Sequence, residues 1–181
     1  MNYSGATRKS LSESPRFRNP TPDDGVAAHE LIANCPPLDT NSLYCNLLQC
    51  SHFSDTSIVA ESDFEIVGFV SGYLVPKRLD TLFIWQVAVE ESARRQGLAL
   101  MMLLKLLQRP ACHNVCYLEA TITEDNTASK ALFTNFADQL GVNFTCSKHF
   151  LRDIHFDDQH VDEYLYRIGP FNTSMLTIAN L

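Results

Sequence analysis
The sequence predicts a single domain of the α/β class, in its α+β form, with a mixed central sheet and helices on both faces. Three observations carry that expectation. The middle of the chain holds three consecutive stretches rich in Val, Ile, Phe and Thr, at 56–61, 66–75 and 81–90, separated by turn-type breaks at Ser62-Asp63 and Pro76-Lys77. Downstream, the pattern alternates strand, helix, strand, helix, strand, which a mixed sheet accommodates. The 181 residues are 45% hydrophobic and 19% charged, with 7 Gly and 8 Pro, and a chain of this size buries roughly two-thirds of its unfolded surface without staples. Residues 16–170 read as this one domain with no internal repeat, residues 1–15 as a mobile polar tail and 171–181 as a C-terminal tail.

A short strand at 16–19 opens the domain. Pro20-Thr21-Pro22-Asp23-Asp24 then places proline and acidic residues where a helix starts, since proline suits the first turn and carboxylates favour the positive end of the helix dipole. Val26, Ala27, Leu31 and Ile32 continue it to about Asn34, and Pro36 and Pro37 stop it. Asn41 or Ser42 is placed to cap a second helix, which carries Leu43, Leu47, Leu48 and Phe53 at three- and four-residue steps. The three central strands are expected to pair antiparallel. After them Gly97 opens an apolar helix through Gln108, 116–122 reads as a strand, 126–140 as an amphipathic helix, and 142–150 and 163–167 as closing strands.

Fourteen Lys and Arg against 21 Asp and Glu give a formal net charge of −7, which argues against nucleic acid or an anionic membrane as partner, because both attract proteins through basic patches. An anionic ligand then needs a local cradle. The six cysteines (35, 45, 50, 112, 116 and 146) form no C-x-x-C pair. They are expected to be reduced and mostly buried as small hydrophobes, in a cytoplasmic protein whose first residues lack the apolar core of a signal peptide. The longest nearly apolar run, Leu98 to Leu107, is broken by Lys105 and too short to span a bilayer. The His- and Asp-rich stretch 149–163 follows no metal-ligand spacing, so no metal is expected.

The segment Trp85-Gln86-Val87-Ala88-Val89-Glu90-Glu91-Ser92-Ala93-Arg94-Arg95-Gln96-Gly97-Leu98-Ala99 ends a strand, crosses a polar loop and starts a helix on small residues. Free N–H groups at a helix start carry partial positive charge, and Gly97 and Ala99 let a phosphate approach them. Arg94-x-x-Gly97-x-Ala99 resembles the R/Q-x-x-G-x-G/A loop of the GNAT superfamily of N-acetyltransferases. After the next strand, Asp125-Asn126-x-x-Ser129-x-x-Leu132-Phe133 resembles the superfamily's D-N-x-x-S-x-x-L-[YF] segment. The resemblance implies the GNAT fold, in which two parallel strands splay apart and the pantetheine arm of acetyl-CoA fills the gap like an extra strand. It implies acetyl-CoA as co-substrate, held along Val87, Ala88 and Val89, at Arg94, Arg95, Gln96, Gly97, Leu98 and Ala99, and by Asn126 and Ser129. The Val87 N–H would stabilise the tetrahedral oxyanion.

A closer likeness covers about residues 16–170. Cys35-Pro36-Pro37-Leu38-Asp39-x-Asn41-Ser42-x-Tyr44-Cys45-Asn46-Leu47-Leu48-Gln49-Cys50, Asp80-Thr81-Leu82-Phe83-Ile84-Trp85-Gln86-Val87-Ala88-Val89 and Arg109-Pro110-Ala111-Cys112 are similar to segments of the diaminobutyrate acetyltransferase family of ectoine synthesis. That resemblance implies acetyl transfer to the 4-amino group of L-2,4-diaminobutyrate by direct attack in a ternary complex, and a homodimer. Such an acceptor, cationic when both ammonium groups are protonated, calls for acidic and amide groups around it. Asp39, Asn41, Ser42 and Tyr44 supply them on one loop and helix start, and Trp85 offers an aromatic wall. An alkyl ammonium with a pKa of about 10 must lose a proton to become a nucleophile. The candidate acceptor is Glu163, oriented by His160, since His160-x-x-Glu163 resembles the family's substrate-side motif. Many superfamily members place a tyrosine acid where this chain has Phe133. The thiolate then takes its proton from Tyr44, from solvent or from the product ammonium.

The residues leave two other readings open. One is acetylation of another small amine, such as ornithine, lysine or a polyamine, in a deeper pocket on the same cradle. The other is a non-catalytic sensor that binds acyl-CoA and turns nothing over.

Overall fold
The computed structural model describes residues 14–172 and Leu176. Of the two expected tails, 1–13, 173–175 and 177–181 lie outside the described residues. Phe171 and Leu176 are buried in the core, and the Gln108 side chain donates to the Leu176 carbonyl at 2.7 Å.

Strand β1 (Arg16–Arg18) leads into α1 (Gly25–Ala33) and α2 (Leu43–Ser51), followed by β2 (Ile58–Ser62), β3 (Glu65–Val75) and β4 (Arg78–Val89). Then come α3 (Leu98–Leu107), β5 (Tyr117–Thr123), α4 (Thr127–Leu140), β6 (Phe144–Phe150), the four-residue α5 (Arg152–His155) and β7 (Glu163–Ile168). A 3-10 turn at Pro22–Asp24 delays the first helix to Gly25. There the Asp24 carboxylate accepts the Thr21 N–H at 2.7 Å and pairs with Arg18. The Ser42 hydroxyl oxygen accepts from the Cys45 N–H and caps α2.

One seven-stranded sheet runs in the order β1-β2-β3-β4-β5-β7-β6. Every neighbouring pair is antiparallel except β4 and β5. Two apolar layers flank the sheet. Ala28, Leu31 and Ile32 of α1 and Cys50 of α2 pack on Val59, Phe69 and Ala88. On the opposite face Leu98 to Leu107 of α3 and Phe133 and Phe136 of α4 pack on Leu82, Ile84, Leu118 and Ile122. This is the mixed sheet with helices on both faces that the sequence predicts. Three cysteines (35, 50 and 112) are buried, whereas Cys45 and Cys116 are partly exposed and Cys146 is exposed, so burial accounts for only half of them.

Beyond the two helices on the α1/α2 side, β5 and β7 carry an ion network. Glu119, 2% exposed, receives both Arg78 guanidinium nitrogens at 2.7 and 2.9 Å, and Arg167 from β7. Burial alone would raise the Glu119 pKa, but the two guanidiniums outweigh it and hold the carboxyl below the usual carboxylate range. The stabilisation is therefore present above the unfolded carboxylate pKa and lost as pH falls through the lower folded value. Replacing Glu119 with Ala strands two cations and should cost about 2 kcal/mol in urea unfolding at pH 7, discounted from a fully buried pair because Arg78 is half-exposed. The gap between variant and wild type should narrow as the pH is lowered past the folded carboxyl's titration.

Candidate active site
Strands β4 and β5 pair only where Thr81–Phe83 meets Tyr117–Glu119. Past that point they splay, and the β4 edge from Ile84 to Val89 has no ladder partner on that side among the described strands. The splay coincides with a bulge. Ser71 pairs with Gln86 and Gly72 with Ile84, leaving Trp85 as an extra residue. Leu82 and Ile84 point into the α3/α4 core, and Val87 and Val89 pack against that same core, so the strand's alternation slips by one between them. Trp85 and Gln86 consequently both turn to the α1/α2 side. Trp85 meets Tyr73 edge-on at 6.2 Å, and Gln86 reaches Asp39.

On the α3/α4 side the splay opens into a cavity of about 570 Å³. Val87 and Val89 form its strand wall, Arg94, Arg95, Gly97, Leu98 and Ala99 its cradle, and Asn126 and Ser129 its far side, with Cys35 to Leu38 from the α1–α2 loop across the mouth. Gly97 stands before α3 at φ 75°, with open space where a Cβ would project. The Arg94 guanidinium donates to the Val89 carbonyl at 2.8 Å and approaches the Cys35 sulfur at 3.3 Å, which ties the end of β4 to the α1–α2 loop. Asn126 uses its side-chain oxygen to cap α4 at the Ser129 N–H, 3.0 Å away. Two of the expected cofactor residues lie off the cavity. Gln96 is exposed and bonds back to the Ser92 carbonyl, and the Ala88 side chain is buried in the α1/α2 layer.

The opposite side of the splay is polar. His160 Nδ1 bonds to the Val161 carbonyl at 2.8 Å, so that nitrogen carries a proton, and its Nε2 faces the exposed Asp39 carboxylate at 3.6 Å. Glu163, half-buried at the start of β7, has one carboxylate oxygen sealed from solvent without a hydrogen-bond partner. Burial pushes its pKa above the ordinary glutamate value, while neighbouring His160 and a hydrogen bond with Thr121 pull the other way and Asp39 and Asp125 reinforce the rise. The Asn41 amide nitrogen is likewise buried and unpartnered. Asp39, His160 and Glu163 thus come together, with Trp85 on the same side of the sheet. Tyr44 sits on the first turn of α2 with 70% of its surface exposed, and Ser42 is engaged in its cap. Phe133 is buried against the core and offers no proton. Among the described residues no group of three or more His, Cys, Asp or Glu is arranged to hold a metal, and no helix is long and apolar enough to cross a membrane.

Sequence reasoning passed over Gln86 and Thr121. A polar residue inside an otherwise apolar strand is the signal for both, since an amide or hydroxyl is placed there at a desolvation cost.

A mixed sheet with one splayed parallel pair, a helix start with free N–H groups at its mouth and a carboxylate opposite matches the N-acetyltransferase architecture. The chain belongs to the acetyltransferase (GNAT) family, which matches residues 26–137. Within it, the chain is a member of the L-2,4-diaminobutyric acid acetyltransferase family. It is 52% identical over 152 residues to the L-2,4-diaminobutyric acid acetyltransferase of Methylotuvimicrobium alcaliphilum, covering 84% of this chain and 88% of that protein. It is 49% identical over 158 residues to that of Vibrio cholerae, covering 87% and 91%. The solved diaminobutyrate acetyltransferase of Paenibacillus lautus, in complex with its substrate L-2,4-diaminobutyric acid and coenzyme A, superposes with a TM-score of 0.84 at 40% identity, over 88% of this chain and 97% of that one. An acetyltransferase of Thermus thermophilus, with a TM-score of 0.60 at 15% identity over 86% and 96% of the two chains, shares the fold alone.

Proposed function
We propose that this protein transfers the acetyl group of acetyl-CoA to the 4-amino group of L-2,4-diaminobutyrate, giving N4-acetyl-L-2,4-diaminobutyrate by direct attack in a ternary complex. The observation that carries the reading is Glu163: a half-buried carboxylate of raised pKa, with one oxygen lacking a partner, across the splay from an anion cradle. Pantetheine lies along Val87 to Val89, and its pyrophosphate rests on the N–H groups at the start of α3, beside Arg94 and Arg95. The acceptor ammonium enters against Asp39 and Trp85. Glu163 takes its proton, with the His160 ring beside it and directed at Asp39 rather than at the carboxylate, and the freed nitrogen attacks the thioester carbonyl. The Val87 N–H receives the oxyanion, an interaction of the kind often worth about 3 kcal/mol. Collapse expels the CoA thiolate and leaves N4 with one extra proton, which passes to the thiolate directly, or to solvent while solvent or Tyr44 protonates the sulfur.

The enzyme works in the cytoplasm, the place that reduced cysteines fit, and as a homodimer; a monomer's mass by light scattering would overturn that state. The deciding assay measures CoA release with diaminobutyrate against ornithine and lysine, with NMR of the product. Selective turnover of diaminobutyrate with acetyl on N4 is the expected result. Preference for a longer amine would replace the acceptor, and acetyl-CoA binding without turnover of any amine would leave only a sensor.

A further inference from the structure
We propose that Gln86 is a positioning residue for the amine side of the site: its buried amide pins the Asp39 loop to the β4 bulge and so sets the Asp39 carboxylate against His160. The inference rests on the acceptor reading above but uses different atoms.

Gln86 is only 4% exposed, on a sheet face otherwise lined by Phe69 and Ala88. Its amide nitrogen donates to the Asp39 backbone carbonyl at 2.6 Å. A carbonyl can only accept, so this bond fixes which end of the amide faces the loop. The side-chain oxygen is left buried and without a partner, as is the hydroxyl of Ser71, the residue paired with Gln86 across the β3–β4 ladder. A core that merely needed filling would not hold two unpartnered polar atoms, because each costs free energy and an apolar side chain of the same shape would not. The donor bond is what the glutamine supplies. It reaches the loop because the extra residue at Trp85 turns Gln86 to the α1/α2 side; regular alternation would aim position 86 into the α3/α4 core.

The consequence falls chiefly on Asp39. Asp39 is otherwise exposed, and its carboxylate is the group facing His160 Nε2. Without the Gln86 bond the loop keeps its backbone but loses the anchor beneath Asp39. The cofactor cavity shares Cys35 to Leu38 of this loop at its mouth, but the Arg94–Cys35 contact holds that end and Val87 and Val89 keep its strand wall, so it should change little.

The test compares wild type with Gln86→Met, which keeps the shape and removes both donor and acceptor, and with Gln86→Leu, which removes both in a shorter apolar side chain. Both variants should raise the KM for the amine about tenfold, the scale of one lost hydrogen bond, with the KM for acetyl-CoA within twofold of wild type. Combining Gln86→Met with Asp39→Asn should add nothing beyond Asp39→Asn alone, because both act through the same carboxylate. An unchanged amine KM, equal changes in both KM values, or full additivity in the double variant would overturn the proposal. If wild type turns over ornithine or lysine in place of diaminobutyrate, the acceptor named above falls and the same comparison is made on that amine. If it turns over none, hydrogen exchange on the unliganded protein decides. Amides of residues 38–41 should exchange about tenfold faster in Gln86→Met if the loop is pinned as described, and unchanged protection would overturn the inference.

Discussion
Replacing Glu163 with Gln should lower kcat/KM at pH 7 by about two to three orders of magnitude, the usual scale of a lost general base, and the deficit should shrink as the pH rises. The sign follows from the two titrations. In wild type the carboxylate must be ionised, and because burial raises its pKa, the acid limb of the profile should lie above the ordinary glutamate value. Between that limb and the amine pKa of about 10, Glu163 accepts the ammonium proton within the complex and the rate stays nearly flat. In Glu163→Gln only the free-amine fraction reacts, and that fraction grows tenfold per pH unit through the neutral range. A plot of log kcat/KM against pH should therefore rise with a slope near one and approach wild type near pH 10. A glutamine variant with wild-type rates across the profile would remove Glu163 as the base, and a deficit that stayed constant with pH would make its role electrostatic. Thermal stability should rise slightly or stay level, since the substitution removes a desolvated carboxylate.

The parts of the site that lie along one stretch of chain were the legible ones. Gly97 before an apolar helix and Asn126 before an amphipathic one are local signals, and the structure puts both at helix starts that line the same cavity. The expected strand ranges agree with the structure to within two or three residues because Pro76-Lys77 is a real turn and Ser62-Asp63 lies one residue ahead of another, at Asp63-Phe64. What depended on register was not legible. The period-two pattern through β4 gives no sign that Trp85 is an extra residue, so Gln86 could not be assigned a face, and its bond to Asp39 joins positions 47 residues apart. Likewise Thr121 meets Glu163 only because β5 and β7 pair antiparallel. The four-residue α5 is too short to show a helical period. Ser42 is a candidate both for a cap and for a substrate contact, and its hydroxyl is used in the cap.

Gly97 tests the cofactor half of the site, and a pair of substitutions there should separate backbone strain from bulk. At φ 75° the residue occupies the left-handed region, where any side chain costs roughly 1 kcal/mol and a β-branched one more. A Cβ would nonetheless meet nothing within 4 Å, because it projects into open space at a position that lines the cavity. The N–H groups of Leu98, Ala99 and Leu100 are the free donors of the first turn, for Met101 is the first to bond back, at 2.9 Å to the Gly97 carbonyl. An alanine at 97 adds strain but little volume, so the KM for acetyl-CoA should rise about threefold and Tm fall by about 2–4 °C. A valine puts an isopropyl group where the pyrophosphate must approach those donors. Its KM for acetyl-CoA and its Kd for CoA by calorimetry should rise about 30- to 100-fold, or roughly 2–3 kcal/mol, with Tm only slightly below that of the alanine variant. The KM for the amine, measured at saturating acetyl-CoA, should hold within twofold in both, since Asp39 and Glu163 lie across the sheet. If valine and alanine weakened CoA equally, strain alone would explain the effect and the phosphate would lie elsewhere in the cavity. If neither weakened it, the start of α3 would not be the cradle at all.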